Sequence, residues 1–540
     1  MTESENTATH YFEEVDALVV GAGFSGMYML HSLLALDLNV IVVDEASGVG
    51  GTWYWNRYPG ARCDVESMEY SYSFSSELQQ EWNWKDRYST QTQILEYANH
   101  VADRFNLRKH IRFNSRLNSA RYDEENNRWS IVTSNGITYS ARFLIMATGT
   151  LSSINRPTFE GLDDFTGEWY MTGKWPHEPV SFSGKRVGII GTGSSAVQTI
   201  PIIAKEARHL TVFQRTANYS IPASNRPLEE EEVREIKANY DSVRSRAKKN
   251  PTGIASRSMQ DISAMEVSEE ERNREYEKRW NDGGTNFMVA YNDIGVNAES
   301  NETAAEFVRS KIREIVKDQN TASLLSPTNA IGCKRLCADT NYYSAFNRSN
   351  VELIDVNETP IQRITKNGIE TSSKAYDLDA IVFAIGFDAM TGALLAMDIV
   401  GRSQTHLRDK WSDGPSSFLG LCIEGFPNMF TITGPGSPSV LSNMMTSIEQ
   451  HVEWIRDCIE YMTKEDKIEI EAQIDAERQW MDHVEDIASN TLRYSCNSWY
   501  LGDNVPGKKR VFMPYAGGIP KYRAFCDAVA DSEYKDFSIK

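Results

Sequence analysis

Two stretches of this chain place glycines where a backbone must come close to a phosphate. Gly21-x-Gly23-x-x-Gly26 follows the apolar run Val15 to Val20, and Gly191-x-Gly193-Ser194-Ser195-Ala196 follows Val187 to Ile190. In such a turn the first glycine reverses the chain, the second lets the backbone approach a pyrophosphate, and the third small residue lets helix pack on strand. The helix behind the turn offers unpaired N–H groups and the positive end of its dipole to the phosphates. Each stretch is therefore read as the pyrophosphate site of a dinucleotide.

The two units differ where their second strands end. The first closes, after Val40 to Val43, on Asp44, with Glu45 as an alternative acid. A carboxylate there accepts from a ribose 2′-OH. The second closes, after Leu210 to Phe213, on Gln214-Arg215-Thr216. A carboxylate would repel a 2′-phosphate, whereas arginine pairs with it through parallel hydrogen bonds. The first site suits a dinucleotide with free ribose hydroxyls and the second suits NADP. Two such sites in one chain imply electron traffic, with NADPH as reductant and FAD as acceptor. Arg142 to Gly149 and Asp379 to Phe387 are apolar strands ending in small-residue turns, of the kind that link nucleotide domains in two-dinucleotide flavoproteins. The second carries Ile385 where threonine is usual.

These units predict an α/β fold with two Rossmann-like dinucleotide-binding domains. The expected division is an FAD domain over residues 1–150 and 388–540 and an NADP domain over 151–222 and 330–387. Residues 223–329, rich in charged helix-like runs such as Glu229 to Glu232, read as a helical insertion in the NADP domain. A chain of 540 residues is long enough for two or three cores. Its net charge of −19 argues against a nucleic-acid partner, which would require neutralising phosphates. The longest apolar run, Tyr28 to Val43, is broken by His31, Asp37 and Asn39, so no stretch reaches the roughly 18 residues that span a bilayer. The polar, acidic N-terminus does not read as a secretory signal. A cytoplasmic protein without a membrane partner is expected, monomeric or weakly homo-oligomeric. Its seven cysteines, Cys63, Cys333, Cys337, Cys422, Cys458, Cys496 and Cys526, are expected to be reduced thiols. Cys333 and Cys337 lie close, but no second pair completes a metal set.

Further motifs stand in order along the chain: GGTWYWNRYPGARCDVES (50–67), FTGEWYMTGKWP (165–176), CKRLCADTNYYSAFNR (333–348), TGPGSPSVLSNM (433–444) and NSWYLGDNVPG (497–507). Together with the glycine turns, from about residue 15 to about 525, the chain resembles the type I Baeyer–Villiger monooxygenases, and in texture the phenylacetone and steroid branch. The resemblance implies an FAD-dependent, NADPH-consuming enzyme. Through a flavin peroxide it would insert one oxygen atom from O2 beside the carbonyl of a small-molecule ketone, giving an ester or lactone. It implies a catalytic role for Arg335, positioned by Asp64, which also lies at the flavin. Gly51, Thr52, Trp53 and Trp55 would contact FAD, Lys334 would hold the NADP phosphate with Arg215 and Thr216, and Trp499 would sit on a mobile loop closing over nicotinamide and substrate. Ser439, Val440 and Leu441 would shape the substrate pocket.

One position departs from the family fingerprint: Phe165, Gly167, Trp175 and Pro176 match, but Met171 stands where the family has histidine. A thioether accepts hydrogen bonds only weakly but fills irregular gaps, so the linker here is expected to be held by packing. Oxidation of N or S centres, an uncoupled NADPH oxidase or flavin reductase, and an NADP-sensing binding protein are the alternative readings.

Overall fold

In the computed structural model, residues 12–540 are described. The β-α-β pattern at the start folds as the sequence dictates. Phe12–Val20 forms a strand, Phe24–Leu34 a helix and Val40–Val43 a second strand, paired parallel to the first. Val40–Val43 is buried at every residue, as a strand covered on both faces requires.

Among the described residues this unit seeds an eight-stranded sheet. Thr138–Met146 pairs parallel with the first strand, then antiparallel with Arg128–Thr133, which alternates buried and exposed residues because one face is solvated. Met429–Thr431 joins the far end of Thr138–Met146 in parallel. The C-terminal region thus returns to the first sheet. It also supplies the helix Met444–Lys464, which packs on Phe24–Leu34 in the largest apolar cluster.

The second glycine unit builds a separate five-stranded sheet in the order Val351–Asp355, His209–Gln214, Arg186–Ile190, Ala380–Phe383, Glu168–Met171. Every pairing in it is parallel. The helix Ser194–Glu206 follows the glycine turn and buries Ala196, Val197 and Ile200 against this sheet.

The region 223–329 is largely helical, with Glu230–Ala238, Tyr240–Lys249, Glu269–Asp282, Ala298–Ile315 and Gln319–Leu325. Glu230, Glu231 and Glu232 occupy the first turn of their helix, where negative charge suits the dipole. Ser268 and Glu271 form a reciprocal capping box at the start of Glu269–Asp282. Its helices serve both cores. Tyr240 and Ile254 join the cluster of the first sheet, and Tyr276, Trp280, Ala304 and Val308 join that of the second.

The expectation of seven reduced thiols is corrected. Cys333 and Cys496 form a disulfide across 163 residues. Nothing in the spacing encodes this pairing, since it depends on a C-terminal loop folding back onto the 333–335 stretch. Among the described residues the other five cysteines are free and buried.

The tightest steric constraint lies at Gly26, where an added Cβ would stand 1.8 Å from the carbonyl oxygen of Gly21. Gly26→Ala should therefore push the helix off the first strand and leave the purified protein depleted in FAD, read as flavin absorbance per polypeptide. Full flavin occupancy in that variant would refute the turn as the FAD site.

Candidate active site

The first turn is built for close approach. Gly21 has φ +110°, and a Cβ there would meet Ala147 O at 2.5 Å. The second motif, GGTWYW, lies directly on the turn: a Cβ on Gly51, itself at φ +53°, would sit 2.9 Å from the Gly23 Cα. Thr52–Trp55 form a short helical turn behind it. Trp53 is buried, donating from Nε1 to Tyr70 Oη at 3.1 Å, while Trp55 is half-buried. Asp44 accepts from the N–H groups of Ala22 (2.5 Å) and Ala46 (2.7 Å), so it braces the glycine turn itself. Burial raises its carboxyl above the ordinary value, and those two N–H bonds oppose the shift. A carboxylate has about four lone-pair sites, so Asp44 retains capacity for a ribose hydroxyl. Glu45 beside it is exposed. Backbone N–H groups, absent Cβ atoms and an acid at the strand end together fit FAD.

The second turn repeats the device. Gly191 has φ +110°, and a Cβ there would meet Ala384 O at 2.4 Å; at Gly193 an added Cβ would meet open space. Ser194 Oγ accepts from Cys337 Sγ at 3.3 Å, and Ser195 Oγ lies 3.1 Å from Thr172 Oγ1. The Thr216 carbonyl is held by Thr192 Oγ1 at 2.8 Å. Arg215 and Thr216 are exposed at the strand end. The Lys334 ammonium is pulled below its ordinary value, first by burial and then by the like charge of Arg215. Among the described residues neither side chain pairs with a carboxylate. Two neighbouring cations without an acid form a receptor for an anion, which fits the 2′-phosphate of NADP.

An ion pair joins the loop after the first unit to the 333–335 stretch. Arg335 Nε donates to Asp64 Oδ2 at 3.0 Å, and Nη2 donates to Oδ1 and Oδ2 at 2.7 Å each. Nη1 donates to the Val440 carbonyl at 3.1 Å, which leaves its second N–H without an acceptor among the described residues. The Asp64 charge holds the guanidinium above its ordinary value, against the opposing effect of burial. The Arg335 side chain is 35% exposed, so it remains open to a ligand.

Asp64 reaches its partner because its loop docks on the second unit. A Cβ at Gly60 would stand 2.4 Å from the Gln198 carbonyl oxygen. Tyr58 Oη donates to Gln198 Oε1 at 2.9 Å, and Gln198 Nε2 donates to the Arg62 carbonyl at 3.0 Å.

Ser439 is buried with φ +39°, a left-handed conformation that aims the neighbouring Val440 carbonyl at Arg335. Val440, Leu441 and Trp499 share an apolar cluster with Met390 and Tyr500. The structure thus gathers Asp64, Lys334, Arg335, Val440 and Trp499, which are scattered through the sequence. Met171 packs in the cluster of Phe165, Ile190 and Phe383, and the next residue supplies the Thr172–Ser195 contact. At position 171 the segment is therefore held by packing and by the adjacent hydroxyl of Thr172.

Sequence reasoning missed Arg257. Burial pulls its guanidinium down to about 10, while Asp64 opposes the shift and Arg335 adds to it. It donates to Thr285 Oγ1. It sits in a loop with no motif, so only the fold brings it to the site. Tyr500 was also missed, although it follows Trp499 directly. It is buried, its hydroxyl is raised by burial, and Arg335 counters that shift.

The family described as pyridine nucleotide-disulphide oxidoreductase matches residues 18–279. A Baeyer–Villiger monooxygenase of Pseudooceanicola batsensis is 42% identical over 536 residues, covering 98% of this chain and 97% of that protein. A cyclohexanone 1,2-monooxygenase of an Acinetobacter species is 42% identical over 531 residues, covering 98% and 97%. Among solved structures, an oxidised steroid monooxygenase bound to NADP superimposes with a TM-score of 0.94 at 51% identity, covering 97% of this chain and 99% of that one.

The unpaired cations make a prediction about pH. If Lys334 holds the NADP phosphate, its lowered pKa should make NADPH affinity fall as pH rises below the ordinary lysine range. Lys334→Arg should flatten that fall, because arginine stays charged. Arg215→Ala should weaken NADPH by about 10- to 100-fold, as loss of a charge-assisted bond implies, and leave NADH unchanged. Steady-state KM for both cofactors across pH checks each point.

Proposed function

Given that the chain belongs to the Baeyer–Villiger monooxygenases, we propose residue roles for the reaction that membership assigns. The enzyme is FAD-dependent, consumes NADPH, and inserts one oxygen atom from O2 next to a ketone carbonyl, giving an ester or lactone. The alternatives of N or S oxidation and of an uncoupled oxidase are not favoured.

When bound, FAD takes electrons from NADPH and activates O2. Gly21, Gly23, Gly26 and Gly51 would bring backbone N–H groups to its pyrophosphate, with Asp44 or Glu45 on the ribose and Thr52, Trp53 and Trp55 beside the flavin. Gly191, Gly193, Ser194, Ser195 and Ala196 would do the same for NADPH, with Arg215, Thr216 and Lys334 on its 2′-phosphate.

Arg335 would be the catalytic cation. The supporting observation is its geometry: bidentate on Asp64 at 2.7 and 3.0 Å, braced by Val440 O, with one Nη1 N–H left over. A fixed, permanently charged donor in a site sheltered from water stabilises negative charge as it develops on oxygen. Asp64 would position it by occupying the other edge of the guanidinium. Ser439, Val440 and Leu441 would line the substrate pocket. Trp499 would close over nicotinamide and ketone, excluding water.

Along the chain we propose FAD binding by 1–150 and 388–540, NADP binding by 151–222 and 330–387, and a helical insertion at 223–329 that also reaches the first core through Tyr240 and Ile254. The first eleven residues lie outside the described structure. No described helix is long and apolar enough to cross a membrane. We propose a cytoplasmic, monomeric or weakly self-associating enzyme; the net charge of −19 supports only its solubility.

Arg335→Ala should leave NADPH-driven FAD reduction intact while ester formation drops by about 10²- to 10³-fold or more, the loss typical of removing one oxyanion donor. Stopped-flow flavin spectra and product analysis separate the two steps; retained ester formation would overturn the role. Met171→His should change product per NADPH little, because packing and Thr172 already hold the linker. A large rise would show that Met171 loosens coupling.

A further inference from the structure

We propose that the Cys333–Cys496 disulfide is a positioning crosslink: it holds the loop bearing Trp499 against the Lys334–Arg335 stretch, and its reduction releases that loop. The inference rests on the reading that this loop serves nicotinamide and substrate. Cys333 immediately precedes Lys334, and Cys496 stands three residues before Trp499. Their Cα atoms are 6.2 Å apart across a separation of 163 residues. The rest of the loop is anchored elsewhere. Asn504 Nδ2 donates to Phe387 O at 2.6 Å, Lys508 Nζ to Asp388 Oδ1 at 2.6 Å, and Leu492 N to Gly295 O at 3.0 Å. Among the described residues no hydrogen bond or ion pair joins 490–513 to 330–340. Among the described residues the crosslink is therefore the one direct bond between the Trp499 end of the loop and the Lys334–Arg335 stretch, beside the packing of Trp499 and Tyr500 on Val440.

Of its two sulfurs, that of Cys496 is the one open to exchange, since Cys333 is buried. Cys496 is half-exposed, whereas the five free cysteines are buried, and burial pushes Cys337 and Cys526 up to about 12. A buried thiol whose pKa is raised stays protonated and reacts poorly. The two thiols close by giving two protons and two electrons to a glutathione-type disulfide, which leaves as two free thiols. Reduction reverses the exchange through a mixed disulfide at Cys496. Ordering a free loop on ligand binding costs conformational entropy. A loop already tied near the cations bears less of that cost, so the oxidised enzyme should hold NADP+ more tightly and leak less peroxide.

The test compares FAD-loaded wild type as purified in air, wild type reduced with dithiothreitol, Cys496→Ser and Cys333→Ala. After alkylation of free thiols, non-reducing peptide mass spectrometry should find 333 linked to 496; two alkylated thiols at these positions would overturn the proposal. Limited trypsin cleavage at Arg493, Lys508, Lys509 and Arg510 should be several-fold faster in the reduced enzyme and both variants. NADP+ should bind about fivefold or more weakly in those three, a coupling of ordinary size, with more hydrogen peroxide per NADPH. Dithiothreitol should add nothing to Cys496→Ser. Equal cleavage and equal NADP+ affinity in oxidised wild type and Cys496→Ser would overturn the crosslink's role. Faster cleavage with unchanged NADP+ affinity would overturn the Trp499 reading and the positioning role with it, while leaving the Arg335 assignment standing.

Discussion

A guanidinium and a carboxylate that lie 271 residues apart meet at 2.7 Å where the loop after the first β-α-β unit docks on the second. Removing either from water is costly unless the pair is close and its remaining donors are met. Asp64 rides on a loop of the first unit and Arg335 on a segment of the second, so the pair forms only when the units are correctly placed. That placement is secured by the close approach of Gly60 to the Gln198 backbone and by the Tyr58–Gln198–Arg62 hydrogen bonds. The third contact, Val440 O, comes from the returning C-terminal region. One side chain therefore reports the alignment of three parts of the chain.

Lys334 and Arg335 are sequence neighbours with opposite surroundings. Arg335 is saturated by an acid on one edge and keeps a single donor in reserve. Lys334 has no acid and faces another cation, Arg215. The first arrangement makes a rigid charge, suited to stabilising negative charge that appears only during reaction. The second makes a receptor, unfavourable until an anion arrives. In the proposed roles, the contrast between an acid ending the first β-α-β unit and an arginine ending the second would sort the two dinucleotides by the same logic. In a chain with a net charge of −19, Lys334 and Arg215 stand together without an acid among the described residues, which supports the proposed phosphate site.

The linker shows how one missing group is replaced. Methionine at 171 cannot supply the hydrogen bonds of an imidazole, yet the strand Glu168–Met171 stays paired with Ala380–Phe383 and Met171 fills an apolar cluster. The hydroxyl at Thr172 reaches Ser195 of the second turn, so the polar connection shifts by one residue.

Local patterns in the sequence carried much of this protein. The apolar runs before each glycine turn, the helices behind them and the acid-versus-arginine endings are all encoded within about thirty consecutive residues. Strand pairing and steric closeness act over that same range, so both β-α-β units and their differing ends could be read from the order of residues. The motifs at 50–67 and 333–348 marked Asp64 and Arg335 by resemblance, but no spacing rule joins them. Only the tertiary structure decided that they form a bidentate pair, that Val440 lends its carbonyl, that Arg257 and Tyr500 come alongside, and that Cys333 bonds Cys496 rather than remaining a thiol. Each of those contacts spans at least sixty residues, where loop closure and the packing of whole layers determine who meets whom. Residue type tells what a side chain can do; the fold alone brings its partner.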